Sequence, residues 1–488
     1  MLKNVTPESV GISSKDVLGF LKRFDAYEYS LHSIIMARGD KIFAECYYKP
    51  FDKNFKHRMY STSKSFVGIA IGFLEQDGLI SLDDKFIKYF PEYKDKASEN
   101  MLEMTIRDML TMSTCIDEDI FWFTSGTADR NEVYFRMNSC RIPGTTFKYD
   151  SPGSYMLGVI VEKQTGMTLI DYLIEKALKH TEFSKDAYCL KCPGGYSFSD
   201  SGVMCTARDL LIVARLLMDK GNIDGINYLN PEYIEQATKK QVDNDELESG
   251  HHYNRHGYGY QIWKTPNDGF AFIGAWGQLA ICDPKSDFVI ITTGQSATSA
   301  REILFHELYN FIIPKLGETM DENPEDYKEL EEYLSSRTFR ALKGKCHSKT
   351  RDKINNVTYI LDKNPMEIEY IRFNFEDNKG TLTYKNRQGE KKLYFKMCEN
   401  EFFKFPQENY SDMVATIPQP GHMYDCACSA AWCEENKLKI FVQIIDKYFG
   451  ELCMTFSFKD DRIAIRMAKS AEAFLNEYQG FACGKAIK

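Results

Sequence analysis

Residues 60–78 constrain this chain more than any other stretch. Tyr60-Ser61-Thr62-Ser63-Lys64-Ser65-Phe66 opens an apolar run (Val67, Ile69, Ala70, Ile71, Phe73, Leu74) with few breakers before Asp77-Gly78. A long apolar run closed by glycine predicts a buried helix with Ser61 at its N-terminus. On a helix, residues i and i+3 lie roughly 5–6 Å apart at Cβ, so Lys64 reaches back one turn to the Ser61 oxygen. A serine hydroxyl is a weak nucleophile until an adjacent base takes its proton, and a lysine serves as that base when its surroundings disfavour the charge. The free N–H groups at the helix start would favour negative charge on the oxygen of an acylated carbonyl. Ser-x-x-Lys alone carries little weight, because an N-cap serine followed by a solvated first-turn lysine has the same letters.

Composition bounds the partners. The 488 residues suit two or three domain equivalents, and an apolar content of 43% is ample for a sizeable core. A net charge of −9 and the lack of any Lys/Arg stripe argue against nucleic acid as a partner. The first residues, Met1-Leu2-Lys3-Asn4-Val5-Thr6-Pro7-Glu8, have no apolar signal-peptide core, and no apolar run is long enough to span a bilayer. The expectation is a cytoplasmic protein without a membrane partner, its oligomeric state open. The 14 scattered cysteines then read as reduced thiols. Cys189-x-x-Cys192 lacks a second pair for zinc, and His422, Cys426, Cys428 and Cys433 are irregularly spaced for a metal site.

Along the chain, a helix over 14–28 capped by Ser13 or Ser14 precedes strands at 31–37 and 41–47 joined by Arg38-Gly39-Asp40. Residues 79–221 read as mostly helical, with capping boxes at Thr105-x-x-Asp108 and Thr206-x-x-Asp209. After Gly257 come short strands at 258–263, 270–273, 278–282 and 288–293, then a helix over 301–315. The order predicts an α+β (α/β) fold: one antiparallel sheet flanked by helices, carrying a helical insertion at about 79–256. The expected division is a catalytic domain over 1–320, an acidic linker with some helix over 321–345, and a small β-rich, barrel-like domain over 346–488. Its strands fall at 366–375, 380–385, 391–396, 437–445, 451–458 and 462–467, with a hairpin turn at Asp460-Asp461.

Three further stretches join Ser61. Pro143-Gly144-x-x-Phe147-x-Tyr149-Asp150-Ser151 puts a tyrosine after a turn and before an apolar helix, where a phenol beside Lys64 could shuttle a proton. A core tyrosine with a satisfied hydroxyl is the alternative reading. Gly202 to Leu210 is a capped helix start with no evident chemistry. Gly274-Ala275-Trp276-Gly277-Gln278 is a glycine-flanked strand edge, which offers backbone N–H groups or marks only a bulge. Phe121-Trp122-Phe123, Tyr258, Tyr260 and Trp276 could line an apolar pocket, while His251, His252 and His256 read as solvated loop residues.

Taken together and in this order, these stretches resemble the serine β-lactamase-like family: class C β-lactamases, penicillin-binding DD-peptidases and related esterases. Ser-x-x-Lys also belongs to the motif set of their class A relatives. Asp77-Gly78-Leu79-Ile80-Ser81-Leu82-Asp83-Asp84 and Met104-Thr105-Ile106-Arg107-Asp108-Met109-Leu110-Thr111 share the family's wording, and the resemblance spans roughly the first 315 residues. It implies Ser61 as acylated nucleophile, Lys64 as its base partner, Tyr149 as the tyrosine of a Tyr-x-Asn/Ser element, and Ser151 as a substrate-orienting hydroxyl. The third motif, Lys/His-x-Gly, falls on Phe272-Ile273-Gly274. The N–H groups of Ala275 and Ser61 would form the oxyanion hole, with Trp276 beside them.

Two departures stand out: Ser151 replaces the asparagine of many relatives, and Phe272 replaces the cation or histidine that β-lactamases place there. Lys264-Thr265-Pro266 imitates that motif, but Pro266 has no N–H to donate. No Gly-x-Ser-x-Gly elbow occurs. The resemblance implies a serine hydrolase acting through an acyl-enzyme on a small ester or amide, with no cofactor and no metal. The alternatives are a D-amino-acid peptidase or β-lactamase, and a non-turnover acyl-binding or sensing protein of the same fold.

Overall fold

The computed structural model describes residues 2–27, 29–117, 129–244, 253, 255–296, 298–408, 421–471 and 474–487. The chain divides into two compact units, Met1–Phe339 and Arg340–Lys488. In the first, one seven-stranded sheet runs in the order Lys3–Asn4, Lys41–Tyr47, Leu31–Arg38, Phe288–Gly294, Gln278–Asp283, Phe270–Gly274, Trp263–Lys264. Every pairing is antiparallel except that of the two-residue first strand. Strands from either end of the unit thus meet in mid-sheet, where Phe288–Gly294 pairs with Leu31–Arg38. The intervening chain supplies the helices between them.

Burial follows the pleat. Ile34, Met36, Ile281 and Ile290 enter a core with Val17, Phe20 and Phe24 of the Ser14–Ala26 helix and with Phe305 and Leu308. The Ala207–Met218 helix packs on the strands Phe288–Gly294, Gln278–Asp283 and Leu31–Arg38, burying Leu210, Val213 and Leu217. The Ser63–Gln76 helix is buried from Ser63 through Leu74. Neighbouring backbone comes so close that a Cβ on Gly68 would lie 2.6 Å from the Tyr260 carbonyl oxygen. Local caps form as their sequences require: Ser13 accepts the Asp16 N–H at 3.1 Å, and Thr105 and Thr206 each close a capping box.

Two expectations are revised. The strand expected over 258–263 is only Trp263–Lys264, because Gly259 N–H donates to the Ile262 carbonyl at 2.8 Å and Gln261 has φ 61, a tight turn in place of extended backbone. The final helix is Thr298–Glu307, followed by wider and tighter turns to Lys315, as Pro314 interrupts the helical ladder. Within the stretch expected as an acidic linker with some helix, the Pro324–Ser335 helix packs on the Ser14–Ala26 helix and the Lys41–Tyr47 strand.

The second unit is one ten-stranded sheet curled on itself. Strand Gly389–Met397 ends the sheet on one side, yet it also pairs in parallel with Asp425–Glu434 through Lys396↔Ser429 and Met397↔Ala430. That short seam closes a barrel. Alternation fills it: Ile371, Phe373, Leu382, Leu393, Ile440 and Phe456 are buried, and the hairpin between Phe449–Lys459 and Arg462–Ala471 turns at Asp460, φ 53. Asn364 caps the backbone N–H groups of Met366 and Ile368, so the strand expected from 366 starts at Tyr370. Among the described residues, no helix is long and apolar enough to cross a membrane.

Candidate active site

Ser61 sits in a one-turn 3-10 helix, Tyr60–Thr62, leading into the Ser63–Gln76 helix. Tyr60 has φ 48, a left-handed conformation that costs a non-glycine residue on the order of 1–3 kcal/mol and persists only where its surroundings hold it. They do so here. The Arg58 guanidinium lies 4.2 Å from the Tyr60 ring centroid and bonds the Ser201 carbonyl and hydroxyl at 2.9 and 2.8 Å. Met59 N–H donates to the Val203 carbonyl at 2.8 Å, and the Thr62 hydroxyl to that of Gln278 at 2.8 Å. Ser61 is half-buried, whereas Thr62, Ser63 and Lys64 are buried.

Lys64 Nζ donates to Ser61 Oγ at 3.1 Å and to the Asp200 carbonyl at 2.9 Å. The lysine is 2% exposed, so its amine is aimed at the serine by a backbone anchor and not by solvent. Ser63 and Ser65 are committed elsewhere. Ser63 Oγ accepts the Val203 N–H at 3.1 Å, and Ser65 donates to the Gln261 carbonyl at 2.9 Å.

Tyr149 presents its ring to the amine, with Lys64 Nζ 5.1 Å from the ring centroid. The ring stacks on Trp263 at 5.5 Å and 21°; Trp263 in turn meets Tyr258 edge-on at 5.0 Å. No hydrogen bond joins the Tyr149 hydroxyl to Ser61 or Lys64, contrary to the close contact expected from the motif. Stacking on Trp263 fixes the ring with its face toward Lys64, and catalytic hydrogen bonds of this kind are often loose before substrate binds. Asp150 caps the Ser151–Thr165 helix by accepting the Gly153 N–H at 2.9 Å, and it accepts the Thr114 hydroxyl at 2.7 Å. Ser151, half-buried, begins that helix.

The third stretch arrives from the sheet. Strand Phe270–Gly274 ends against the Ser61 turn so closely that a Cβ on Gly274 would lie 2.3 Å from the Met59 carbonyl oxygen and 3.0 Å from Thr62 Oγ1. Ala275 is exposed and Trp276, with φ 65, is half-buried. Phe272 is fully buried in the sheet, so its side chain takes no part in the cleft. Lys264 is structural: its amine donates to the Thr238 and Asp268 carbonyls, both at 2.9 Å. Tyr258 and Tyr260 are core residues, each 1% exposed. Residues 121–123, 251 and 252 lie outside the described residues. No group of three or more His, Cys, Asp or Glu among the described residues is placed to hold a metal ion.

Two charged groups near the site had no signal in the sequence. Asp200 is wholly buried and neither of its carboxylate oxygens has a hydrogen-bond partner among the described residues. Burial pushes its carboxyl above the ordinary range, opposed by the charges of Lys64, Arg130 and Arg58. Asp150 is raised by burial in the same way, with Lys64 among the opposing charges. Arg301, on the Thr298–Glu307 helix, has a buried Nε without a hydrogen-bond partner among the described residues. Burial lowers its pKa, against the negative charge of Glu302.

Asp200 yields a stability prediction. Its folded pKa lies above the unfolded value, so the folded chain holds this proton more tightly. Its contribution is therefore most favourable below the ordinary carboxylate range and is lost as pH rises through the raised value. Asparagine does not ionise. The melting temperature of Asp200→Asn relative to wild type should be higher at pH 8 than at pH 4. Scanning calorimetry at the two pH values checks this, and a difference that shrinks or reverses as pH rises contradicts it.

The match that decides the family covers all of these elements. A family model described as Beta-lactamase matches residues 32–304, more than half of the chain and a span that includes Ser61, Lys64, Tyr149 and Gly274. The chain belongs to the β-lactamase family. A 6-aminohexanoate-dimer hydrolase of Paenarthrobacter ureafaciens is 26% identical over 281 residues, covering 53% of this chain and 71% of that protein. Protein flp of Staphylococcus aureus (strain NCTC 8325 / PS 47) is 26% identical over 175 residues, 32% of this chain and 35% of its own. Among solved structures, a novel penicillin-binding protein homolog from Caulobacter crescentus matches with a TM-score of 0.51 at 15% identity, covering 63% of this chain and 99% of that one. That likeness bears on fold alone. The β-lactamase-family fold, with its mixed first unit, is the scaffold that brings the Ser61 helix and the Gly274 strand edge together.

Proposed function

We propose that this protein is a serine hydrolase that cleaves small esters or linear amides through an acyl-enzyme on Ser61. The observation that carries the reading is the buried Lys64 amine, anchored on the Asp200 carbonyl and 3.1 Å from Ser61 Oγ. Lys64 takes the hydroxyl proton as Oγ bonds to the substrate carbonyl carbon. The N–H groups of Ser61 and Ala275 hold the resulting oxyanion, and Tyr149 passes a proton to the departing alkoxide or amine. Water, deprotonated along the same route, then cleaves the acyl-enzyme and restores Ser61. Ser151 and Trp276 border the bound acyl group. The relative named as a 6-aminohexanoate-dimer hydrolase supports the amide half of the proposal.

Gly274 tests the registration of strand against turn. Gly274→Ala puts a methyl group 2.3 Å from the Met59 carbonyl oxygen, so backbone must shift, at a cost of about 1–3 kcal/mol. A displacement of about 1 Å in a reacting geometry costs roughly 10²-fold in rate. Melting curves and p-nitrophenyl ester kinetics should therefore show both a lower melting temperature and a rate loss of that order. Full activity in the variant would separate the Gly274 edge from the oxyanion site.

Substrate class is read from competing rates. Short aryl esters should turn over fastest and nitrocefin slowest. The third-motif position is Phe272, sealed in the sheet, so no side-chain charge there offsets the desolvation of a β-lactam carboxylate, a cost of several kcal/mol. The experiment compares p-nitrophenyl butyrate, a linear 6-aminohexanoate amide and nitrocefin on the full chain. Nitrocefin hydrolysis at or above the ester rate would contradict this order.

A further inference from the structure

All 14 cysteines are free thiols in this structure. Cys189 and Cys192, close in sequence, are both buried, and burial pushes the Cys192 thiol to about 12. A pair far apart in sequence is different. Cys346 and Cys398, 52 residues apart, place their sulfurs 2.8 Å from each other, closer than non-bonded sulfurs normally approach. Cys346 is exposed and Cys398 half-buried.

We propose that Cys346 and Cys398 are an oxidation site, joined under oxidising conditions by a disulfide that staples the seam of the second unit's barrel. The seam consists of Lys396↔Ser429 and Met397↔Ala430. Cys398 extends it by one bond, its N–H donating to the Ala430 carbonyl at 2.7 Å. Two residues along the same strand, Trp432 exchanges backbone hydrogen bonds with Lys345, at 3.0 and 3.1 Å. Cys346 and Cys398 therefore belong to two segments laid against one strand where the barrel's closure is shortest. A covalent link there ties both segments to the closure and limits the opened chain's freedom.

The chemistry is thiol–disulfide exchange with a small disulfide, RSSR. Burial, and then the contact with Cys346, pushes the Cys398 thiol up to about 11, so the exposed Cys346 is the attacking thiolate. Its sulfur bonds to one sulfur of RSSR and the other leaves as RS⁻. Cys398 loses its proton to solvent and attacks the Cys346 sulfur, expelling the second RS⁻. Two protein thiols become one disulfide, and RSSR gains two electrons and departs as two RSH. A metal clasp is a poorer fit, since no third His, Cys, Asp or Glu among the described residues completes a ligand set.

The full-length protein is treated with glutathione disulfide, alkylated under denaturing conditions and mapped by peptide mass spectrometry. The expected result is a linked Cys346–Cys398 peptide, a protein lighter by two hydrogens, and reversal by dithiothreitol. Cys346→Ser should abolish the link, whereas Cys433→Ser, at another exposed cysteine, should leave it intact. The second unit's unfolding transition should rise by roughly 5–10 °C on oxidation. Separate glutathione adducts on Cys346 and Cys398, or a bridge mapped to another pair, would overturn the site. A link that leaves the transition unmoved would overturn the stapling.

Discussion

Ser61→Ala is expected to lower ester turnover by on the order of 10⁶, the scale of losing a serine nucleophile that acts as a unit with its base. Among the described residues, the amine of Lys64 donates to Ser61 Oγ and the Asp200 carbonyl and to no other serine. Ser63 is the informative control. Its hydroxyl accepts the buried Val203 N–H, so Ser63→Ala strands that donor and costs about 1–3 kcal/mol of stability. It leaves the nucleophile in place. The two variants should therefore separate cleanly, one inactive with an unchanged melt and the other active with a lower one. Steady-state kinetics and melting curves on both proteins are the check.

The second large effect concerns the proton route. Tyr149→Phe keeps the ring that stacks on Trp263 and faces Lys64 and removes only the hydroxyl. Stability should change little, while turnover falls by roughly 10²–10⁴, the usual contribution of general acid–base catalysis. Lys64→Ala should be at least as damaging to rate. It also removes the buried amine that bonds the Asp200 carbonyl at 2.9 Å and leaves that acceptor unpaired, so its melt should fall as well. If the two groups carry one proton in relay, the double variant is scarcely slower than Lys64→Ala alone. Multiplicative losses would mean that they act independently. Wild-type rates in folded Tyr149→Phe would take the tyrosine out of the mechanism.

What the sequence made legible was local. Ser13, Thr105 and Thr206 cap helices because each cap needs only its own next three residues. Ser61 and Lys64 meet for the same reason, one helical turn apart. The strands at 31–37, 41–47, 278–282 and 288–293 stood out by their apolar runs, and their pairing into one sheet across the helical insertion followed from their order. Asp200, Trp263 and Arg301 were not legible, since each gains its meaning from a partner far along the chain. Asp200 contributes a carbonyl to Lys64 over 136 residues, and any residue type has a carbonyl. The Tyr149 hydroxyl was misplaced for a related reason: spacing locates its ring, but stacking on Trp263 sets how the ring turns. Cys346 and Cys398 are likewise joined only by barrel closure, while the conspicuous Cys189-x-x-Cys192 spacing led to two buried thiols.

If Ser61 is the acylated nucleophile, a covalent serine-hydrolase probe must lodge on it. The intact protein is treated with a fluorophosphonate, digested, and the adduct located by tandem mass spectrometry. The expected result is a single adduct on the Ser61 Oγ, lost in Ser61→Ala, slowed by orders of magnitude in Lys64→Ala and retained in Ser63→Ala. An adduct on another residue, or undiminished labelling of Ser61→Ala, would contradict it.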